Sequence, residues 1–286
     1  MPYTHYGEIG DIWKHVPLCS FLVREQPLHY VETNAAFPEY VLDRTERRSY
    51  GVFHLLQETE ERRYGHLDAS PYLRLARKGI GGGIPTYLGS PGLAMELLQQ
   101  RAGYRFHDIE EEPLAAIGSY ARQRGLEGQV STVQGDSIDG LWFDIERMTA
   151  DTFLHIDPYR IFEKNANGRC YFDLFGKAIR RGVKTMLWYG YETLDEQEEV
   201  HGRMRAALDG RQDKVTGIDF HIEGIGRSVT KVNPGVPGCG ILIANLSPAS
   251  ESTFRSFAEE LEAVYRHATY DGRPAPLTRT ETDLGS

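Results

Sequence analysis

Hydrophobic and polar positions along this chain follow two alternating spacings, one typical of helices and one typical of strands. Apolar residues recur at helical spacing over residues 11–25, and a short apolar strand, Leu28–Val31, follows. The stripe of the first helix consists of Ile12, His15, Val16, Cys19, Leu22 and Val23. The later segments read as strand YRFHDIE, helix PLAAIGSYARQRG, strands VSTVQGD and FLHIDPY, helix YFDLFGKAIRRG, strands VKTMLWYGY, KVTGIDFHIEG and GCGILIANL, and helix ESTFRSFAEELEAVYRHA before a polar tail.

This alternation predicts an α/β protein built on a mostly parallel sheet. One stretch departs from the pattern. Residues 43–78 are dense in charge, and a glycine-rich segment over 79–92 follows them. Charge of that density favours a helical insertion over part of a buried sheet. We therefore predict one α/β domain formed by residues 1–42 and 87–286, with a helical insertion or cap over 43–86.

Composition narrows the class of protein further. The chain has 286 residues, 40% hydrophobic and 26% charged, which is typical of a globular protein. Its net charge of −9 argues against a surface that binds nucleic acid throughout. The three cysteines, Cys19, Cys170 and Cys239, are far apart and offer neither a disulfide framework nor a metal site. No segment has the apolar length of a membrane helix, so we expect a cytoplasmic protein.

Candidate chemistry lies where strands end, because ligands of an open parallel sheet bind at its carboxyl edge. Polar residues follow the predicted strands at four places: Glu32-Thr33-Asn34, Asp108, Gly135-Asp136 and Asp157-Pro158-Tyr159. Asp108 and Asp136 are also typical of residues that cap turns. Asp157 follows an apolar strand, and a functional role and a turn role are equally compatible with that position.

These places occur in an order that resembles the ribosomal RNA adenine-N6 methyltransferases over nearly the whole chain. The resemblance rests on four motifs, which are HYGEIGDIWKH at 5–15, YLGSPGLA at 87–94, HIDPY at 155–159 and LWYGY at 187–191. It implies a class I methyltransferase-like, Rossmann-like fold. It also implies that Asp108 and Asp136 stand where that family contacts the ribose and the adenine of S-adenosylmethionine.

Two departures from the family concern the cofactor and the catalytic loop. The turn after the first strand, residues 32–39, contains no glycine, whereas glycines in the family let the backbone approach the cofactor. The Asp-Pro-Pro-Tyr loop of the family, which holds and stacks the target base, here reads Asp157-Pro158-Tyr159-Arg160. Both halves of the methyl-transfer site are altered.

A second resemblance is to the bacterial β-carboline-forming Pictet–Spenglerases, which use no S-adenosylmethionine and act as homodimers through a catalytic glutamate. Glu96 interrupts the apolar stripe of the helix in LAMELLQQRA, and a carboxylate near an apolar cleft suits general acid and base work. The resemblance implies Glu96 as the catalytic residue. It implies substrate-binding roles for Arg74, Tyr87, Asn34, Phe37, Asp157 and Tyr159, with no metal.

Three functions follow from these observations. The first is a cofactor-independent condensation of tryptophan, or a related indole amine, with an aldehyde to a β-carboline in natural-product biosynthesis. The alternative is an S-adenosylmethionine-dependent N-methyltransferase acting on ribosomal RNA adenine or on a small molecule, which Asp108, Asp136 and the Lys14-His15 pair favour. The third is a non-catalytic scaffold. For the first, we expect small-molecule substrates, no cofactor, and neither a membrane nor a nucleic-acid partner.

Overall fold

An eight-stranded sheet runs through the computed structural model, which describes residues 4–208, 215–222 and 232–284. The described strands are β1 His29–Glu32, β2 Glu39–Val41, β3 Thr86–Leu88, β4 Gly103–Asp108, β5 Val130–Gln134, β6 Thr152–Ile156, β7 Lys184–Tyr191, β8 Val215–Ile222, β9 Gly238–Ala244, β10 Thr269–Tyr270, β11 Arg273–Pro274 and β12 Leu277–Leu284. The described helices are α1 Ile9–Glu25, α2 Glu46–Arg48, α3 His54–Glu61, α4 Gly65–Asp68, α5 Pro71–Ile80, α6 Ser90–Leu98, α7 Glu111–Gln123, α8 Ser137–Trp142, α9 Tyr171–Arg180, α10 Leu194–Leu208 and α11 Pro248–Val264.

The order of strands in the large sheet is β12-β8-β9-β7-β6-β1-β4-β5. Strands β7, β6, β1, β4 and β5 pair in parallel, whereas β9 runs antiparallel to both β7 and β8. This order, with one reversed strand near the end, is that of the class I methyltransferase-like Rossmann fold, and β12 extends it by a further antiparallel strand. The predicted fold class is confirmed.

Helix α1 lies at the centre of the core on one face of the sheet. Its predicted apolar stripe is correct for Ile12, Val16 and Cys19, which have no exposed surface, whereas Val23 is 39% exposed. The helix packs against α5, α6 and α11. Burial of this stripe holds the helical layer on the sheet and fixes the position of the polar residues at the amino-terminal end of α1.

The segment predicted as an insertion contains α2, α3, α4 and α5. Its ends lie close together because β2 and β3 pair antiparallel on either side of it. The Glu260 carboxylate of α11 accepts hydrogen bonds from the backbone N–H groups of His66 and Leu67, at 2.9 Å and 2.7 Å, and so ties α4 to the main body. The division into a domain and an insertion stays a prediction.

Several described elements were not predicted from the sequence, among them helix α10 and strand β12. Helix α10 contains many charged residues and few apolar ones, so its apolar spacing is weak, and the buried Met204 and Leu208 anchor it. The tail predicted as polar coil forms β12, which pairs with β8 over its whole length. Alternating polar residues suit an edge strand that has one solvated face, but only the long-range pairing with β8 identifies it.

Candidate functional site

Asp157 follows the last residue of β6 and lies beside the end of β1, where the strand order reverses. Its backbone N–H donates to the Thr33 hydroxyl at 3.0 Å. Its side chain is 9% exposed, and Oδ2 accepts a hydrogen bond from Lys14 Nζ at 2.7 Å. Among the described residues, the buried Oδ1 has no hydrogen-bond partner. Asp157 thus offers one free acceptor oxygen where this fold binds its ligands.

Lys14, on α1, is the cation that holds this carboxylate. Its Nζ also lies 3.2 Å from Asp11 Oδ1, and its side chain is 12% exposed. Burial alone favours the neutral amine, but Asp157 and Asp11 raise the pKa of Lys14 far above its ordinary value. Burial raises the pKa of Asp157, and Lys14 opposes that shift. The ammonium therefore remains charged and fixes the Asp157 carboxylate with one oxygen unused.

A cavity of about 550 Å³ opens beside Lys14 and Asp157. Tyr159 and Trp188 form its aromatic wall, with ring centroids 6.2 Å apart and planes inclined at 53°. The Tyr159 hydroxyl donates to Glu192 Oε1 at 2.6 Å, so the ring is held at both ends. A cavity of this size is typical of small-molecule sites. Its walls suit a flat ring whose polar edge faces the free oxygen of Asp157.

Gly190, on β7, leaves the space that the Tyr159 ring occupies. A Cβ at this position would lie 2.2 Å from a ring carbon of Tyr159. Overpacking of this kind costs about 1–3 kcal/mol, so Gly190→Ala should lower the free energy of unfolding by about that amount in urea titrations. The loss should shrink in a Tyr159→Ala background, because the clash is then gone.

Gly202→Ala is the matched control for Gly190→Ala. Gly202 lies on α10, and a Cβ there would meet no atom within 4 Å. Alanine favours a helix over glycine, so this variant should be as stable as the parent or slightly more so. An equal loss of stability for Gly190→Ala in both Tyr159 backgrounds would contradict the seating of the Tyr159 ring.

The turn after β1 brings Asn34 to the same edge of the sheet. Asn34 has a left-handed backbone with φ of 54°. Its Nδ2 donates to the Tyr171 hydroxyl at 3.0 Å, and that hydroxyl lies 3.0 Å from Ser137 Oγ on α8. Asn34 Oδ1 is buried without a hydrogen-bond partner among the described residues. The absence of glycine in this turn suggested that side chains would crowd a cofactor at this edge of the sheet. Ala35 is fully buried in the core, so its methyl group does not narrow the edge.

Glu32 forms a buried polar cluster at the end of β1. Its Oε1 accepts a hydrogen bond from the Ser90 hydroxyl, and its Oε2 accepts one from Tyr30 at 2.9 Å. His155 Nδ1, in register with Glu32 on β6, lies 3.3 Å from Oε1. This cluster fixes the start of α6 and the ends of β1 and β6. Sequence reasoning missed it, because its members come from three separate segments.

Asp108 and Asp136 lie at the ends of β4 and β5. Asp108 is 4% exposed, and its Oδ1 accepts from the Glu110 N–H at 2.9 Å. Asp136 is the N-cap of α8: its Oδ1 accepts from Ile138 N–H at 2.8 Å, and its Oδ2 accepts from Asn165 Nδ2 at 3.1 Å. Both carboxylates therefore cap turns, which is the structural role considered in the sequence analysis. They also lie at the edge of the sheet where this fold binds its ligands.

Glu96 lies away from this edge. Helix α6 starts at Ser90, beside the end of β1, and runs towards the opposite edge of the sheet, so Glu96 is about 9 Å farther along the helix. Its Oε1 accepts hydrogen bonds from Arg124 and, at 3.0 Å, from Tyr120. Burial opposes its ionisation, but Arg124 lowers the pKa of Glu96 overall. It lines a separate cavity of about 320 Å³, and its catalytic role stays a prediction without geometric support.

Three other predicted binding residues also lie outside the Asp157 cavity. Arg74 is exposed on α5. Tyr87 is 2% exposed, and its hydroxyl lies 2.9 Å from His15 Nδ1 within the core. Phe37 packs edge to face on Tyr40, with centroids 5.9 Å apart. Of the predicted set, the cavity brings together Asp157 and Tyr159, and Asn34 stands at the same edge of the sheet.

Lys14, Asp11, Trp188 and Glu192 complete the site, and the sequence analysis did not assign them to it. The Lys14-His15 pair and the LWYGY strand are the sequence signals that pointed to two of them. Asp11 lies in the same motif as Lys14, HYGEIGDIWKH at 5–15, but no role was predicted for it. Glu192 carried no signal, because it follows a strand among other acids.

Comparisons with known proteins bear on the fold. No family model matches the chain, and no curated protein matches it. The solved structure of LPL1258 from Legionella pneumophila, a protein of the family DUF519, is 17% identical, covers 98% of both chains and superposes with a TM-score of 0.72. Two O-methyltransferases are less similar. TomG of Streptomyces achromogenes is 10% identical and superposes with a TM-score of 0.42, and the match covers 81% of this chain and 79% of TomG. The enzyme of Bacillus cereus is also 10% identical and superposes with a TM-score of 0.40, and the match covers 81% of this chain and 80% of that enzyme.

The likeness to LPL1258 extends over nearly the whole chain, and at 17% identity it shows a shared fold and nothing more. Within residues 4–208, 215–222 and 232–284, no helix is long and apolar enough to span a membrane. The cysteines Cys19, Cys170 and Cys239 are buried and unpaired with one another.

Proposed function

We propose that this chain is an S-adenosylmethionine-dependent N-methyltransferase that acts on an amino group of a small, flat molecule. The observation that carries the proposal is the buried Asp157 carboxylate at the end of β6, whose Oδ2 is held by Lys14 and whose Oδ1 has no hydrogen-bond partner within the described part of the chain. The cavity beside it has the aromatic wall and the volume that a flat substrate needs.

Asp157 has the chemistry that nitrogen alkylation requires. An amino group conjugated to a ring is a weak nucleophile, because its lone pair is delocalised into the ring. A hydrogen bond from the amine N–H to Asp157 Oδ1 returns electron density to the nitrogen and orients its lone pair. The same carboxylate can accept the proton that the nitrogen loses. Lys14 holds the carboxylate in place throughout, because its second partner, Asp11, fixes it independently.

The residues at the ends of β1, β4 and β5 fit the proposed cofactor. Asn34 Oδ1 is buried there without a partner among residues 4–208, 215–222 and 232–284, and the methyl of Ala35 is directed into the core. We assign Asn34, Asp108 and Asp136 to hold the cofactor, whose sulfonium supplies an electrophilic methyl group when bound. Tyr159 and Trp188 position the substrate ring and exclude water on that side of Asp157.

A small-molecule substrate is favoured over ribosomal RNA by charge. The chain carries a net charge of −9, and the cavity is lined by several carboxylates. Phosphate binding requires clustered Lys and Arg. The substrate proposed here therefore contacts the Asp157 cavity and needs no extended basic surface.

Calorimetry with S-adenosylmethionine and S-adenosylhomocysteine tests the cofactor directly, and transfer of a labelled methyl group to a panel of aromatic amines tests the reaction. Saturable binding at micromolar concentration and a labelled N-methyl product would support the proposal. Absence of binding at millimolar concentration would remove it.

Tyr171→Phe tests the predicted cofactor cleft. The Tyr171 hydroxyl joins the β1 turn to the start of α8 through Asn34 and Ser137. Without it the two segments are no longer tied, and the dissociation constant of S-adenosylhomocysteine in calorimetry should rise about tenfold, which equals about 1.4 kcal/mol. Tyr64→Phe, at a tyrosine on the helical segment, is the control and should leave it unchanged. Tighter binding to Tyr171→Phe would mean that the phenol competes with the cofactor.

Pictet–Spengler condensation, the first function predicted from the sequence, finds less support in the geometry. It assigns the proton transfers to Glu96, which pairs with Arg124 away from the Asp157 cavity. This function would be supported if the protein formed a β-carboline from tryptophan and an aldehyde without a cofactor and if Glu96→Gln abolished that activity. The predicted homodimer is compatible with either reaction, and sedimentation would test it.

A further inference from the structure

Another cavity, of about 410 Å³, opens at the edge of the sheet where the parallel strands begin, opposite the edge at which Asp157 lies. His29, Gly103 and Thr152 lie on its floor, and they are the first residues of β1, β4 and β6. Strand pairing places His29 between the other two. The 3₁₀ helix Asp144–Arg147 forms a wall. The cavity is therefore separate from the candidate functional site.

Gly103 leaves the floor of this cavity open. A Cβ at this position would meet only His29 Nδ1, at 3.6 Å, and the carbonyl oxygen of Gln129, at 3.9 Å. The next residue, Tyr104, places its ring in the core on the other face of the sheet. A large side chain at position 103 would therefore fill the cavity without entering the core.

Three side chains of this cavity carry hydrogen-bond donors that no described residue uses. The His29 imidazole and the Arg147 guanidinium make no hydrogen bond or ion pair within residues 4–208, 215–222 and 232–284. Thr152 is 3% exposed, and its hydroxyl has no partner in the same ranges. A buried hydroxyl without a partner is unfavourable. A ligand that accepts hydrogen bonds at this point would remove that cost.

The charges of this cavity favour an anion. Arg105 Nη1 lies 2.6 Å from Asp144 Oδ2, so these two charges balance each other. Arg147 is the remaining permanent charge among the lining residues. The whole chain carries a net charge of −9, so a local excess of positive charge is not a general property of its surface. Guanidinium groups bind phosphate and carboxylate groups through parallel hydrogen bonds.

We propose that this cavity binds a small organic anion, whose phosphate or carboxylate group accepts hydrogen bonds from Arg147, His29 and Thr152. The buried Met148 and Val31 give the cavity an apolar side for the rest of the ligand. The volume exceeds what a bare oxyanion needs and is typical of small-molecule sites. Binding at this site requires neither the cofactor nor the amine of the proposed methyl transfer.

Calorimetry with phenyl phosphate, benzoate and benzyl alcohol tests the proposal without S-adenosylmethionine. The three probes share a benzene ring, and only the first two carry a negative charge. At low salt, the tighter of the two anions should bind with a dissociation constant of about 1 mM or less and at least about tenfold more tightly than benzyl alcohol. This preference should fall as ionic strength rises. Binding of neither anion at about 10 mM, or equal binding of benzyl alcohol, would overturn the proposal.

Arg147→Gln should weaken binding of the tighter anion about tenfold, because a charge-assisted hydrogen bond is lost. Arg122→Gln makes the same change of net charge at an exposed residue of α7 and should bind as the parent does. Gly103→Leu should abolish binding by filling the floor. Arg147 is exposed, so its variant should fold and decides the question even if Gly103→Leu does not fold. Equal affinity of Arg147→Gln and Arg122→Gln for the anion would reject the site.

Discussion

Asp157→Asn should lower kcat for the proposed methyl transfer by about 100-fold or more, with a much smaller change in KM. The amide retains one oxygen acceptor, but it lacks the negative charge that raises electron density on the nitrogen and can accept its proton. Loss of a positioned acid or base typically costs 100-fold to 10,000-fold in rate. The measurement is steady-state transfer of labelled methyl groups from S-adenosylmethionine to the best amine of the panel.

The fold should survive this substitution, because Lys14 keeps Asp11 as a partner at 3.2 Å. A melting temperature within a few degrees of the parent would establish that. Glu127→Gln, an exposed carboxylate changed to an amide far from the cavity, is the activity control and should behave as the parent. A kcat for Asp157→Asn within threefold of the parent would reject Asp157 as the residue that activates the amine.

Sequence reasoning placed Asp157 correctly at the edge of the sheet for a local reason. An apolar run followed by Asp-Pro predicts a buried strand and its end, and parallel strands present their carboxyl ends on one edge. Lys14, its partner, lies 143 residues earlier in the chain. Only the packing of α1 on the sheet, where it contacts β7 and β9, brings the two residues together. No spacing within either segment could predict that contact.

Glu96 shows the opposite case. Helical spacing correctly predicted that it breaks an apolar stripe, since the other seven residues of α6 besides Ser90 are all buried apolar residues or glycine. The spacing did not indicate which end of α6 reaches the carboxyl edge. The contact between Ser90 and Glu32 decides this, and Arg124, from the end of α7, then neutralises the carboxylate.

The missing glycines in the turn after β1 illustrate a third limit. A glycine-free turn indicates crowding only if each Cβ points at the ligand. Ala35 instead packs its methyl into the core, and Asn34 adopts the left-handed conformation that its short polar side chain tolerates. The sequence does not show in which direction each side chain points. The direction found for Ala35 weakens the argument that the turn excludes a cofactor.

Mild acid should destabilise the fold through histidines that are buried as neutral rings. Burial lowers the pKa of His15 to about 3 and that of His107 to about 4, against about 6.5 in an unfolded chain. Between these values the unfolded chain binds protons that the folded chain does not, so the free energy of unfolding falls as pH falls. Each histidine contributes about 1.4 kcal/mol per pH unit, and urea titrations from pH 7 to pH 4.5 measure the slope.

His107→Leu isolates one of these contributions. Both ring nitrogens of His107 are buried without hydrogen-bond partners among the described residues, so an apolar side chain of similar size should cost little at pH 7. The variant should lose the share of the acid slope that His107 contributes, about 1.4 kcal/mol per pH unit. His15 still titrates, and so does His221, whose pKa is also lowered by burial. His267→Leu removes an exposed histidine and should leave the slope unchanged. The raised pKa of the exposed His5 acts in the opposite direction, because the protonated ring gains Glu8 as a partner and so stabilises the fold as pH falls. A slope in His107→Leu equal to that of the parent would show that the pKa of His107 is the same in the folded and the unfolded chain, and the slope would then come from the other buried histidines.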